Sequence, residues 1–315
     1  MTQKIFTAAS LFCGAGGLDM GFERAGFKTI WANDNDKDAC KTFESWNPSA
    51  KVVCSKIELI KPDSIPDIDV ILGGFPCQGF SVAGNRDLND PRNKLYLNYV
   101  EIVKQKQPLA FVGENVPGLL SMARGKVFLQ IVEDFTKAGY HVYYQILNAS
   151  NYEVPQDRTR VIIIGLRNDL KIDYFRYPQM SERRVTLADA LKDVRKPEAN
   201  EVGRFNVSSR YMSRNRKRDW DDVSYTILAL SRTLPLHPSS PDMIKVGKET
   251  WKFGEGVSRQ FNVPECAAIQ TFPSNMRFVG SYSSKIRQIG NAVPVKLAEA
   301  IGRSLYDCLI RATSK

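Results

Sequence analysis

A cysteine in a glycine-rich loop is the residue of this 315-residue chain best placed for covalent chemistry. Cys77 lies in the stretch GGFPCQGFS at positions 73–81, directly after the apolar run Ile68–Leu72. This run predicts a buried strand, and open sheets place their ligand sites in the loops at the carboxyl ends of strands. The glycines permit close backbone approach to a ligand, and Pro76 fixes its own φ. Cys77 is therefore a candidate nucleophile, with a buried structural thiol as the alternative.

Composition excludes several classes of protein. Apolar residues make up 43% of the chain and charged residues 25%, which is typical of a globular protein. No apolar run is long enough to span a membrane, and the amino terminus lacks a signal-peptide pattern, so we expect a cytoplasmic protein. The six cysteines include no CxxC pair and neither of the two histidines has metal-ligand spacing, so we expect no metal site.

A second candidate site lies near the amino terminus, at the turn CGAGG of residues 13–17. It separates a predicted strand from a predicted helix, which is the arrangement that binds nucleotide-like ligands in doubly wound folds. Asp34 ends the next predicted strand about twenty residues later, where an acid can accept ribose hydroxyls. The two features together predict a nucleoside-containing cofactor.

Predicted strands and helices alternate through residue 180, which indicates an α/β fold with a mostly parallel sheet. The chain carries a net charge of +10, and residues 195–259 hold 13 Lys and Arg against 8 Asp and Glu. A basic, loop-rich segment predicts a surface for nucleic acid, with a solvated basic face as the alternative. We expect a catalytic and cofactor-binding domain over 1–180, a target-recognition domain over 181–285, and a closing segment over 286–315 that returns to the catalytic domain.

Six motifs, taken together and in order, resemble the DNA (cytosine-5) methyltransferase family. They are FCGAGGL at 12–18, FPCQ at 75–78, ENV at 114–116, QDRTR at 156–160, PECAAIQTFP at 264–273 and GNAVP at 290–294. The resemblance implies a Rossmann-like methyltransferase fold that uses S-adenosylmethionine to make 5-methylcytosine in DNA.

The resemblance also implies roles for four catalytic residues. Cys77 would attack C6 of cytosine and make C5 nucleophilic, which splits one difficult step into two easier ones. Glu114 would hold the Watson–Crick edge of the base and, when protonated, relieve charge in the ring. Arg160 would contact the cytosine carbonyl, and Arg158 and Arg160 are candidates to stabilise the thiolate. For Arg158, a phosphate contact or a structural ion pair remains the alternative.

The cofactor residues that the resemblance implies surround an adenine, a ribose and a methionine end. They are Phe12, Gly14, Gly16, Leu18, Asp34, Ile57, Pro76, Leu97 and Asn291. The chain departs from the family at Lys56, which stands where an Asp usually holds the adenine amine. Because lysine cannot accept a hydrogen bond, we expect weaker cofactor binding.

For DNA, the resemblance implies a duplex from which the target base is flipped out. The candidate contacts are Ser81, Arg210, Arg214, Arg216 and Arg232, the last as a bidentate donor to guanine. The segments YMSRNR at 211–216 and LHP at 236–238 are similar to recognition domains of GGCC-specific bacterial members of restriction-modification systems. The expected partners are double-stranded DNA and a cognate restriction endonuclease, and the enzyme is expected to be a monomer.

Three other functions compete with this interpretation. A tRNA cytosine methyltransferase has the same core, but Pro117–Leu120 lacks the Cys-Phe-Thr signature of that branch. A non-catalytic DNA-binding module would have no reason to retain Cys77, Glu114 and Arg160. A dehydrogenase explains the glycine turn and Asp34 but leaves the other motifs without a role.

Overall fold

The computed structural model describes residues 4–76, 94–203 and 209–314, with the backbone alone at 94, 209 and 210. Contacts within the chain divide it into two compact units. The first comprises residues 1–147, 159–179 and 297–315, and the second comprises residues 148–158 and 180–296. Two ranges cluster with the second unit. The sequence assigned residues 148–158 to the catalytic domain and residues 286–296 to the closing segment. The functional division into domains stays a prediction.

The described part of the first unit contains a seven-stranded sheet with the order β3-β2-β1-β4-β5-β8-β6. Its strands are β1 (Phe6–Leu11), β2 (Phe27–Asp34), β3 (Lys51–Cys54), β4 (Val70–Gly73), β5 (Ala110–Asn115), β6 (Tyr140–Asn148) and β8 (Thr159–Arg167). The β3–β2, β2–β1, β1–β4 and β4–β5 pairs are parallel, and β5 pairs with β8 antiparallel. The α/β fold with a mostly parallel sheet is confirmed.

The strand order reverses between β1 and β4, because β2 and β3 extend the sheet on one side of β1 while β4 and β5 extend it on the other. In open α/β sheets this reversal opens a crevice at the carboxyl ends of the two central strands. The glycine turn follows β1, and the segment leading to Cys77 follows β4. Both candidate motifs therefore begin at the same crevice.

Helices join the parallel strands of the first unit and β6. They are α1 (Gly17–Arg24), α2 (Lys37–Trp46), α3 (Lys94–Lys106) and α4 (Lys126–Lys137). The long helix α8 (Val295–Thr313) follows the last strand and lies in this unit from Leu297 onward. Asp36 caps α2, since its carboxylate accepts the backbone N–H of Asp38 and Ala39. Aromatic residues fill the core between sheet and helices, where Phe111 of β5 stacks on Phe135 of α4. This contact packs β5 against α4.

The second unit contains little regular structure. Two short strands, β7 (Gln156–Asp157) and β9 (Ser224–Tyr225), pair in parallel, and β10 (Ile244–Gly247) and β11 (Thr250–Lys252) form an antiparallel pair. Its helices in the described residues are α5 (Leu187–Leu191), α6 (Val263–Ile269) and α7 (Tyr282–Asn291). No helix of the described chain is both long and apolar enough to cross a membrane.

Candidate active site and cofactor site

The turn after β1 has the backbone of a ligand cradle. Phe12, Gly14 and Gly16 all have positive φ, of 55°, 55° and 83°. A non-glycine residue in this region carries strain that is typical of functional sites, and Phe12 packs half-buried against the core. A Cβ added at Gly14 would meet no atom of the described residues within 4 Å, so these residues leave open space beside the backbone there. At Gly16, by contrast, a Cβ would overlap the Trp46 ring at 2.5 Å.

Asp34 ties the end of β2 to this turn. One carboxylate oxygen accepts the N–H of Gly14 at 2.8 Å, and the other accepts the N–H of Asp36 at 2.9 Å. Burial is the largest effect on this carboxyl group and raises its pKa. Because a carboxylate has about four lone-pair sites, Asp34 can still accept hydroxyl groups from a ligand.

The remaining cofactor candidates differ in exposure. Leu18 and Ile57 are buried, Pro76 is half-buried, and the Leu97 side chain on α3 is exposed. Asn291 is the last residue of α7, in the second unit. Lys56 is exposed, and its φ of −64° and ψ of 141° are ordinary extended backbone. The residues of the first unit fit a nucleoside ligand, since an open backbone cradle lies beside a carboxylate.

Glu114 and Arg160 form an ion pair at the carboxyl end of β5. Arg160 Nε lies 2.7 Å from Glu114 Oε1, and both side chains are almost buried, with 13% and 11% of their surfaces exposed. The antiparallel register pairs Glu114 with Ile162, which brings the start of β8 beside the end of β5. The contact is an ion pair rather than an aligned hydrogen bond, since Oε1 has no well-directed donor in the described chain. The structure thus brings together two of the four predicted catalytic side chains.

The same strand end holds the segment that leads to Cys77. Asn115 Nδ2 donates to the Phe75 carbonyl at 2.7 Å, and a Cβ at Gly74 would lie 3.1 Å from Glu114 Oε2. The Phe75 ring is buried and packs on Tyr99. Residues 74–76 are therefore fixed next to the Glu114 carboxylate. Cys77 itself, like Ser81, lies outside the described residues.

Arg158 occupies a different environment, within the second unit. Its guanidinium is buried and donates to the carbonyls of Ile227, Gly290 and Ala292 at 3.1, 2.9 and 2.9 Å. Gly290 and Ala292 lie at the carboxyl end of α7, where the helix dipole favours a cation. These contacts support a structural role for Arg158, and its catalytic role stays a prediction.

The candidate arginine contacts to DNA differ in burial and in the contacts that their guanidinium groups make within the protein. Arg216 lies 4.4 Å over the Tyr211 ring and donates to the Tyr211 and Thr233 carbonyls, so its fork is occupied within its own unit. Burial lowers the pKa of this guanidinium. Arg214 and Arg232 are exposed, whereas the side chain of Arg210 lies outside the described ones.

The comparisons with known proteins decide between the competing functions. The sequence matches the model of the C-5 cytosine-specific DNA methylases over residues 6–307. The chain belongs to this family. The Type II methyltransferase M.MthTI of Methanothermobacter thermautotrophicus is 44% identical, with 94% of this chain and 96% of the relative covered. M.FnuDI of Fusobacterium nucleatum, also a Type II methyltransferase, is 41% identical, with 95% of this chain and 94% of the relative covered.

A solved structure from Escherichia coli, described as a prophage-encoded DNA modification methyltransferase, has a similar fold. It aligns with a TM-score of 0.75 at 25% identity and covers 96% of this chain and 99% of its own. The predicted family, enzyme class and Rossmann-like methyltransferase fold are therefore confirmed. This methylase is an enzyme of the DNA cytosine-C5 type, and its family and fold imply the use of S-adenosylmethionine.

Two supporting residues have roles that the motifs do not predict. Asn115 belongs to the ENV motif, and in the structure its side chain holds the Phe75 carbonyl. Trp46, whose Nε1 donates to the Ala15 carbonyl at 3.0 Å, covers the glycine turn from α2. A tryptophan at the end of a helix gives no local signal of its partner. Asn115, however, directly follows the candidate catalytic residue Glu114 in the sequence, and that adjacency is a usable signal.

Proposed function

We propose that this methylase transfers a methyl group from S-adenosylmethionine to C5 of a cytosine flipped out of a short, specific site in duplex DNA. The observation that carries the proposal is the Glu114–Arg160 ion pair, 2.7 Å long, beside the fixed segment 74–76 that leads directly to Cys77. An acid and a cation that converge next to the segment preceding a candidate nucleophile suit a base that must be held and polarised while it is attacked.

In the proposed reaction, the Cys77 thiolate bonds to C6, and the electrons of the C5=C6 double bond form the new bond from C5 to the methyl group, with S-adenosylhomocysteine released as the leaving group. Loss of the C5 proton to solvent then re-forms the C5=C6 bond and breaks the S–C6 bond, so the Cys77 thiolate is regenerated. Glu114, in its protonated form, donates a hydrogen bond to the base edge as charge develops, and Arg160 orients Glu114 and contacts the cytosine carbonyl. Each residue acts on a different atom of the base.

For the cofactor, we propose that the Gly14–Gly16 backbone holds its methionine end and that Asp34 accepts its ribose hydroxyls. Phe12, Ile57 and Leu97 provide apolar surface for adenine, and Leu18, Pro76 and Asn291 complete the site. When bound, S-adenosylmethionine supplies an activated methyl group on a sulfonium. The open space at Gly14 and the spare acceptor sites of Asp34 support this arrangement.

We also propose the setting in which the enzyme acts. The named relatives are Type II methyltransferases, which supports double-stranded DNA as the substrate and a restriction endonuclease of the same specificity as a partner. The enzyme would act as a monomer in the cytoplasm, where a prokaryotic cell keeps its DNA. A GGCC-like site is the first sequence to test.

The proposal is tested with tritiated S-adenosylmethionine, a panel of duplex DNAs, a tRNA pool and a Cys77→Ala control. We expect label on cytosine C5 of a subset of the duplexes and none with the variant. Label in tRNA, with none in DNA, would overturn the proposed substrate. Undiminished transfer by Cys77→Ala would overturn the proposed nucleophile.

A further inference from the structure

Residues 226–232 form a segment of the second unit whose backbone is anchored at its start by buried side chains. Ile227 N–H donates to Gln156 Oε1 at 2.8 Å, and the Ile227 carbonyl accepts from Arg158 Nη1 at 3.1 Å. Thr226 Oγ1 donates to the Asp157 carbonyl at 2.6 Å. Gln156, Arg158 and Ile227 are at most 1% exposed. The segment is therefore anchored through both backbone groups of one buried residue.

Helix α7 supports the same segment from its inner side. A Cβ added at Gly290 would lie 2.5 Å from the Ala229 nitrogen and from the Leu228 carbonyl carbon, so the two backbones are in direct contact. Gln270 links the anchors, since it accepts from Gln156 at 2.9 Å and donates to the Ile289 carbonyl at 2.6 Å. Buried, hydrogen-bonded polar networks of this kind favour a single conformation.

The outer side of the segment is apolar and cationic. Leu228 is 38% exposed and Leu230 is 54% exposed, while Ile227 between the anchors is fully buried. Arg232, two residues further on, is also exposed, and none of the described residues forms a hydrogen bond or ion pair with its guanidinium. Leu228, Leu230 and Arg232, the last in the short 3-10 turn Ser231–Thr233, form what we call the exposed strip.

We propose that the exposed strip is a DNA-reading surface on which Leu228 and Leu230 determine sequence preference. This inference rests on the proposed function, because its occupant is the duplex substrate. The charge of the strip supports that occupant, since an unpaired arginine beside two leucines can bind a phosphate or guanine while the leucines pack on apolar base edges. Apolar side chains contact the C5 edge of pyrimidines, where a methyl group distinguishes thymine.

Rigidity makes such contacts selective. A flexible loop could move away from a wrong base. A backbone fixed by Gln156, Arg158 and Gly290 cannot move in this way, so a wrong base leaves a gap or a steric clash against the leucines. A favourable apolar contact to one base pair is expected to give about a 10-fold preference, at the lower end of what a well-placed base contact contributes. The structure thus links the buried polar network to discrimination by the leucines.

The test uses Leu228→Ala and Leu230→Ala, with Val257→Ala as the matched control. Val257 is 85% exposed in the same unit and lies outside the exposed strip. For each protein, kcat/KM is measured on the preferred duplex and on duplexes in which each base pair in and beside the site is replaced. Cofactor Kd and melting temperature are measured alongside, and both are expected to remain those of the unaltered enzyme.

We expect at least one leucine variant to lose about 5-fold or more of its preference at one base pair, while Val257→Ala keeps the original preferences. Preferences equal to those of the control in both leucine variants would overturn this inference and leave the proposed function intact. Failure of the unaltered enzyme to methylate any duplex would overturn the proposed function and this inference with it.

Discussion

Replacing Arg158 separates a structural role from a catalytic one. In Arg158→Leu the carbonyls of Ile227, Gly290 and Ala292 lose a charged donor at a buried position. A hydrogen bond to a charged group contributes about 1.5–3 kcal/mol, and neighbouring donors can replace part of the loss. We therefore expect destabilisation of about 3–5 kcal/mol, the range found when a buried charged network is broken.

This loss is measurable by calorimetry. For domains of 150–250 residues, 1 kcal/mol shifts the melting temperature by about 2–4 °C, so the expected decrease is about 6–20 °C. Arg158→Lys keeps the charge but loses the planar fork, and it should recover part of the decrease. Arg232→Leu, which removes an exposed arginine, serves as the control and should melt as the unaltered protein does.

A particular result would refute this reasoning. If Arg158→Leu melts within about 1 °C of the unaltered enzyme but no longer transfers methyl groups, Arg158 acts in the reaction and its three carbonyl contacts are incidental. If both stability and sequence preference fall, the residue positions the segment that follows Ile227, as the contacts indicate.

Other predictions concern the remaining sites. Glu114→Gln should lower kcat by at least about 100-fold, because a proton donor to the base is lost. The cofactor Kd, measured in a binding titration, should stay unchanged, and an unchanged kcat would contradict the proposed role of Glu114 as that donor. Lys56→Asp should tighten S-adenosylmethionine binding by about 3–10-fold, the value of one added hydrogen bond, and an equal Kd in the two proteins would count against the expected adenine contact. Asp19 is fully buried, and burial raises its pKa to about 7. The folded state therefore binds a proton that the unfolded state has released, and stability falls as pH rises from about 4 to 7, by at most about 4 kcal/mol. Asp19→Asn should lose this pH dependence, so the unfolding free energy of the variant relative to that of the unaltered enzyme should rise between about pH 4 and 7. Denaturant titrations measure both free energies, and pH profiles that run parallel in the two proteins would refute the prediction.

The sequence was sufficient for the fold because strand, turn and helix signals alternate without conflict through the first unit. The position of Asp34 after a buried strand and the glycine turn before α1 are local features, so the residue pattern alone places both of them. The strand predicted over Ile68–Leu72 is observed at Val70–Gly73, so its ends differ by two residues and one residue, as strand ends usually do.

The pairing of Glu114 with Arg160 could not be read from the sequence in the same way. It depends on β8 lying beside β5 in antiparallel register, and the strand order of a sheet is a long-range property. The spacing of Arg158 and Arg160 suggests a shared face, since alternate residues of a strand point to one side. Arg158, however, precedes the first residue of β8, so the alternation does not apply and its guanidinium lies among the carbonyls of the second unit.

A covalent adduct with Cys77 is the most direct test of the proposed reaction. The enzyme is incubated with S-adenosylmethionine and a duplex in which 5-fluorocytosine replaces the target base. Because fluorine cannot leave as a cation, methylation at C5 should trap the protein on the DNA. We expect a mass increase equal to the modified strand plus one methyl group, mapped to the peptide with Cys77 and absent in Cys77→Ala. Methyl transfer to ordinary duplexes, with no trapped adduct on the fluorinated one, would contradict attack by this thiol.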